Sequence, residues 1–139
     1  MSSKTKVSEP LPRFRSAWLA LGWLMAAAII VGSLAPSLPS AAGAVSDKFL
    51  HFTAYAGMAF VFAGALGRQR WLFLGIALFL FGAGIELAQE YLTASRAGEW
   101  GDLAANTAGI LSGLLAAALV PGNWCRQVEV VVGVAEARE

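Results

Sequence analysis

The sequence predicts an all-α, polytopic membrane protein, with four transmembrane helices in an up-down bundle. Three observations carry the prediction. Of 139 residues, 58% are hydrophobic and 14% are charged, and the mean hydropathy is +0.64. A soluble domain of this length has too little interior to hide that much apolar surface. Four apolar runs each approach the ~20 residues that cross ~30 Å of hydrocarbon. The links between them are short, which makes successive spans antiparallel neighbours.

Residues 1–16 read as a basic cytoplasmic tail, with Lys4, Lys6, Arg13 and Arg15; Pro10 and Pro12 disfavour a regular helix there. Residues 17–35 form the first run. A basic start, an oily run and Ala42-Gly43-Ala44 together mimic a signal peptide. The run exceeds the usual ~7–15-residue signal core, so a retained membrane helix is expected. Pro36 and Pro39 break it, and Ser46 or Asp47 is a suitable N-cap for the second run, residues 48–66. A tight basic turn, Gly67-Arg68-Gln69-Arg70, leads into the third run, residues 71–91. The fourth covers residues 102–120 and stops at Pro121-Gly122. Residues 17–121 thus make one transmembrane domain, and residues 122–139 a cytoplasmic C-terminal tail in which 128–134 reads either as a short strand or as a loose segment.

Basic residues set the orientation. Arg68 and Arg70, the N-terminal tail, and Arg126 and Arg138 all fall on one side, against Lys48 and Arg96 on the other. The positive-inside rule therefore puts both termini in the cytoplasm, with Trp18, Trp71 and Trp124 near the inner interface and Trp100 near the outer one. The net charge of +1 and the lack of a basic stripe with interleaved aromatics exclude a nucleic-acid partner. The single Cys125 excludes an internal disulfide and a cysteine metal cluster.

This topology gathers the polar residues of helices two to four at one depth, in the outer leaflet. Asp47, His51 and Tyr55 lie four apart on one helical face, with Lys48 beside them. Gly75, Gly82, Glu86, Gln89 and Thr93 share a second stripe, and Asp102, Asn106, Gly109 and Gly113 a third. Glu90 borders the second stripe, and Arg96 and Glu99 lie in the link. The glycines let neighbouring backbones approach closely, so the polar groups are expected to face the bundle interior. Acids and amides inside oily helices are costly and need a reason. Gln89 and Asn106 alone could serve as interhelical ties worth roughly 0.6 kcal/mol each, and a buried, hydrogen-bonded histidine is the common state of a residue like His51. Several carboxylates at one depth require more: a proton, a basic partner such as Lys48 or Arg96, or a divalent cation held by oxygen ligands and one imidazole. No other cofactor is expected.

The segments D-K-F-L-H-F-T-A-Y (residues 47–55), G-A-G-I-E-L-A-Q-E (residues 82–90) and D-L-A-A-N-T-A-G-I-L-S-G (residues 102–113), with Arg96 between the last two, resemble the VanZ-like family of bacterial integral membrane proteins. The resemblance covers about half the chain and rests on the ordered set. The family often carries Pro or Pro-Gly before its arginine, whereas Ser95 precedes Arg96 here. The resemblance implies a multi-pass protein of the bacterial cytoplasmic membrane and cell envelope. The family's namesake is tied to resistance to the glycopeptide teicoplanin; the resemblance supplies no reaction, and resistance itself is not carried over.

Three functions are then expected in order. The first is a binding module whose outer-leaflet cluster takes the polar or anionic headgroup of a lipid or amphiphile, such as a cell-envelope lipid precursor or an amphiphilic antibiotic. Arg96 and Lys48 would hold the anion, and Asp47, Glu86 and Asp102 would orient them. The second is a membrane hydrolase or transferase with His51 as base and Glu86 or Asp102 as its partner; no G-x-S-x-G or H-E-x-x-H motif accompanies it. The third is a proton- or ion-coupled carrier, against which stands the lack of a polar path through the inner halves of helices two to four.

Overall fold

The computed structural model describes residues 10–35, 47–93 and 98–134. Among those residues the regular structure is all helical, without strands. Five helices follow one another: α1 (Arg15–Leu34), α2 (Asp47–Leu66), α3 (Trp71–Leu92), α4 (Trp100–Leu119) and α5 (Trp124–Val131), with a short 3-10 turn, Arg68–Arg70, before α3. The first four are long and apolar enough to cross a membrane. Their outward surfaces carry large exposed apolar side chains, among them Leu24, Val31, Leu72, Phe73 and Leu119, as helices solvated by lipid would.

α2 is the most buried of the four and packs against α1, α3, α4 and α5. Tyr55, Met58, Ala59 and Phe62 form the centre of the core, joined by Leu74, Leu78 and Ile110. Its closest neighbour is α4, whose Gly109 and Gly113 lie directly on the α2 backbone. A Cβ at Gly109 would land on the carbonyl oxygen of Phe52, and one at Gly113 on that of Ala56. Gly82 is less crowded: a Cβ there would meet Asn106 Nδ2 at 3.3 Å and Tyr55 at 3.4 Å. Gly75 meets only Leu114, at the ordinary contact distance of 3.5 Å.

The two ends differ in chemistry. One end gathers tryptophans and arginines. Trp124 stacks on Phe60 with ring centroids 4.4 Å apart and meets Trp18 edge-on at 5.2 Å. The indole N–H groups of Trp124 and Trp71 donate to the α2 carbonyls of Phe60 and Ala63, each at 3.0 Å. Arg15 donates to the Ala65 carbonyl near the end of α2, and Arg68 to the Ala118 and Val120 carbonyls at the end of α4. Both arginines thereby supply the donors that terminal helix carbonyls lack.

The C-terminal segment, open above between a strand and a loose chain, is helical. Asn123 caps α5 by accepting from the Arg126 N–H. The docked α5 buries Cys125 and Glu129. Glu129, 2% exposed, accepts hydrogen bonds from the backbone N–H groups of Arg13 (2.7 Å) and Phe14 (2.9 Å) and from the Trp18 indole (2.9 Å). It therefore caps the start of α1 from more than a hundred residues away, and α1 begins at Arg15 rather than Ala17. Burial alone would raise the Glu129 pKa. The N–H donors of Phe14, Arg13 and Trp18, with the charge of Arg126, outweigh burial and hold it below the usual carboxyl range.

Candidate functional site

The other end gathers acids and amides. Asp47 and His51 lie in the first turns of α2, Glu86 and Gln89 near the end of α3, and Asp102 and Asn106 near the start of α4. The four-residue spacing along α2 and α4 stacks Asp47 on His51 and Asp102 on Asn106. The close approach of α4 to α2 at Gly109, one turn further in, brings the two stacks together.

A buried relay links three helices. His51 Nδ1 lies 3.0 Å from Asn106 Oδ1. Asn106, 1% exposed, donates through Nδ2 to Glu86 Oε1 at 3.3 Å. The other Glu86 oxygen accepts the Glu99 backbone N–H at 3.2 Å, and His51 Nδ1 stands 3.9 Å from Glu86 Oε1. The Asn106 amide nitrogen is committed to a carboxylate, so its oxygen faces the imidazole, and His51 must donate from Nδ1. In the neutral ring that leaves the lone pair on Nε2.

The link before α4 is tied to the same relay. Glu90 accepts the Gly98 N–H at 3.1 Å. The Lys48 ammonium bridges Glu99 at 2.8 Å and Asp102 at 3.0 Å. Lys48 and Glu99 are more than half exposed along their side chains, while Asp102 is buried; the exposed pair contributes little by itself, and its role is to offset the buried acid. One imidazole nitrogen of His51 and one carboxylate oxygen each from Asp47 and Asp102 lie within 4.8 Å of one another, a set that could hold a metal ion.

Two residues of the polar set stand apart from the relay. Gln89 points to α1, donating to the Ser33 carbonyl at 3.0 Å, and its own carbonyl oxygen has no partner. Tyr55 lies one turn below His51, fully buried, with its hydroxyl unpartnered. Arg96 falls outside the described residues.

Between α1 and α2 lies a cleft of about 500 Å³. Met25, Ala28, Ile29 and Leu50 supply apolar walls, and Asp47, His51 and Tyr55 line it as well. The α1 wall was not legible as part of a site, because the first apolar run carries no polar signal except Ser33, which lines the same cleft. No family model, curated protein or solved structure matches this chain.

Proposed function

We propose that the chain is a VanZ-like, multi-pass protein of the bacterial cytoplasmic membrane. Its four spans run up and down, both termini are cytoplasmic, and the polar end faces outward, where it binds the headgroup of a lipid or lipid-like amphiphile. One observation carries the reading: the α1–α2 cleft joins apolar walls to the polar residues Asp47 and His51. A ligand with an acyl-like body and a polar head matches that division, since pockets take affinity from apolar walls and orientation from a few polar groups. Lys48 supplies a cation at the rim, already balanced by Glu99 and Asp102, and Arg96 belongs to the neighbouring link.

The test is native mass spectrometry of the protein released from nanodiscs made with its own membrane lipids. The wild type is expected to retain a lipid or amphiphile that Ile29→Trp, which fills the cleft, and Arg96→Ala release. Equal profiles for all three proteins would overturn the proposal. The oriented imidazole of His51 also favours a second reading, a membrane hydrolase using Nε2 as base. Turnover of a lipid-phosphate panel that His51→Ala abolishes would establish it in place of simple binding.

A further inference from the structure

We infer that Asp47, His51 and Asp102 bind a divalent cation of the borderline class, Zn²⁺ or Mn²⁺, at the polar end of the molecule; its role in holding an anionic headgroup rests on the function proposed above, whereas the cation site itself does not. Three ligand atoms within 4.8 Å of one another need only a small contraction. Ligands at about 2.0–2.2 Å from an ion sit roughly 3–4 Å apart around it. Asp47 is exposed, while His51 and Asp102 are buried and held in place, Asp102 by its ion pair with Lys48. Two carboxylates and one imidazole suit neither the all-oxygen shell of Ca²⁺ nor a soft thiolate metal.

A further observation is the support behind the imidazole. Ligating histidines almost always donate their second ring N–H to a carbonyl or carboxylate, which fixes the tautomer. His51 donates Nδ1 to the buried Asn106 carbonyl, and Asn106 is itself oriented by Glu86. Nε2 is thereby the coordinating nitrogen. By sequence this end carries Asp47, Glu86, Glu90, Glu99 and Asp102 against Lys48 and the Arg96 of the link, five acids to two cations. With three protein ligands, a bound dication would keep coordination positions for water or for a phosphate or carboxylate head.

The experiment is isothermal titration of the tag-free protein in detergent micelles with Zn²⁺ alone and Mn²⁺ alone, with Mn²⁺ binding also read by electron paramagnetic resonance. Wild type is expected to bind one ion with micromolar affinity. Asp47→Asn, at an exposed position that leaves the relay intact, should weaken binding about tenfold or more, as should His51→Ala and Asp102→Asn. Lys48→Met removes a like charge beside the ion and should tighten binding several-fold. Absence of saturable binding, or equal affinity in wild type and Asp47→Asn, overturns the site. Native mass spectrometry with and without a chelator separates the two proposals. Lipid released by chelation supports both. Lipid retained by a protein that binds no metal overturns the cation site and leaves the headgroup reading standing. A metal bound in a protein that retains no lipid supports the site and overturns the headgroup reading.

Discussion

Replacing Gly113 with alanine tests whether the α2–α4 contact holds the polar end together. The added methyl would fall on the Ala56 carbonyl oxygen and within 3.0 Å of the Ala59 Cβ. A backbone carbonyl has no rotamer by which to withdraw, so the helices themselves must separate. Overpacking of this kind costs about 1–3 kcal/mol, while alanine recovers about 0.5–1 kcal/mol of the conformational entropy that glycine loses in a helix. The expected net loss lies between about 0 and 2.5 kcal/mol, with its centre near 1 kcal/mol, or roughly fivefold in the folding equilibrium. Gly84 is the internal control, since a Cβ there meets nothing within 4 Å. Gly84→Ala should therefore be stabilised by about 0.5–1 kcal/mol. Reversible unfolding in mixed micelles, titrated with sodium dodecyl sulfate and followed by circular dichroism, reads both variants. The reasoning is refuted if Gly113→Ala unfolds at the same denaturant fraction as Gly84→Ala, or later.

Glu129→Ala strands two backbone N–H groups and the Trp18 indole at the start of α1, and should cost about 2–3 kcal/mol in the same titration. Because the folded pKa of Glu129 is depressed, its contribution is complete above the ordinary carboxyl range of about pH 4–5 and fades as pH falls through the lower folded value; the stability gap between wild type and Glu129→Ala should therefore narrow in acid. Cys125 is buried against Gly64, and burial, aided by the charge of Glu129, pushes its thiol up to about 12. Maleimide at neutral pH should leave it unlabelled in the folded protein and react once the chain is unfolded; labelling of the folded state would mean that α5 is not docked. Tyr55→Phe deletes a buried hydroxyl that has no partner, so ligand-free protein should keep its stability or gain up to about 1 kcal/mol, and a measured loss would reveal a partner for that oxygen.

The sequence made the helices easy to locate, because lipid-facing and core-facing positions of a span are both apolar and each run approaches a bilayer's thickness. It also made the polar convergence legible, since a four-residue spacing within each helix and alternating helix directions place His51, Glu86 and Asn106 at one level. What it hid depends on contacts that periodicity does not encode. The run Val128-Glu129-Val130-Val131 alternates like a strand, yet its acid is drawn into the first turn of α1, and that tertiary bond selects the helix. From the sequence, Lys48 is expected to be oriented by Asp47, Glu86 and Asp102, and Asp102 does pair with it, but its second acid is Glu99 of the link. Gln89 shares a stripe with Glu86 but is rotated far enough around α3 to reach Ser33 on α1.

Those pairings separate the residues that only hold the helices together from those with capacity left over. Asn106 spends its oxygen on His51 and its nitrogen on Glu86, and Glu86 spends one oxygen on Asn106 and the other on the Glu99 N–H. Both are accounted for as ties, and their mutation should disturb folding before it disturbs any ligand. His51 differs because an imidazole has two nitrogens and the relay engages Nδ1 alone. The same bond that makes His51 structural therefore leaves its second nitrogen as a directed lone pair, on a ring of which one nitrogen lies within 4.8 Å of a carboxylate oxygen on its own helix and one on α4. A histidine kept only for packing would gain as much from any acceptor at either nitrogen. One whose inner nitrogen is clamped by a buried amide, while the residue lines an apolar cleft, has been given an orientation that packing alone does not require.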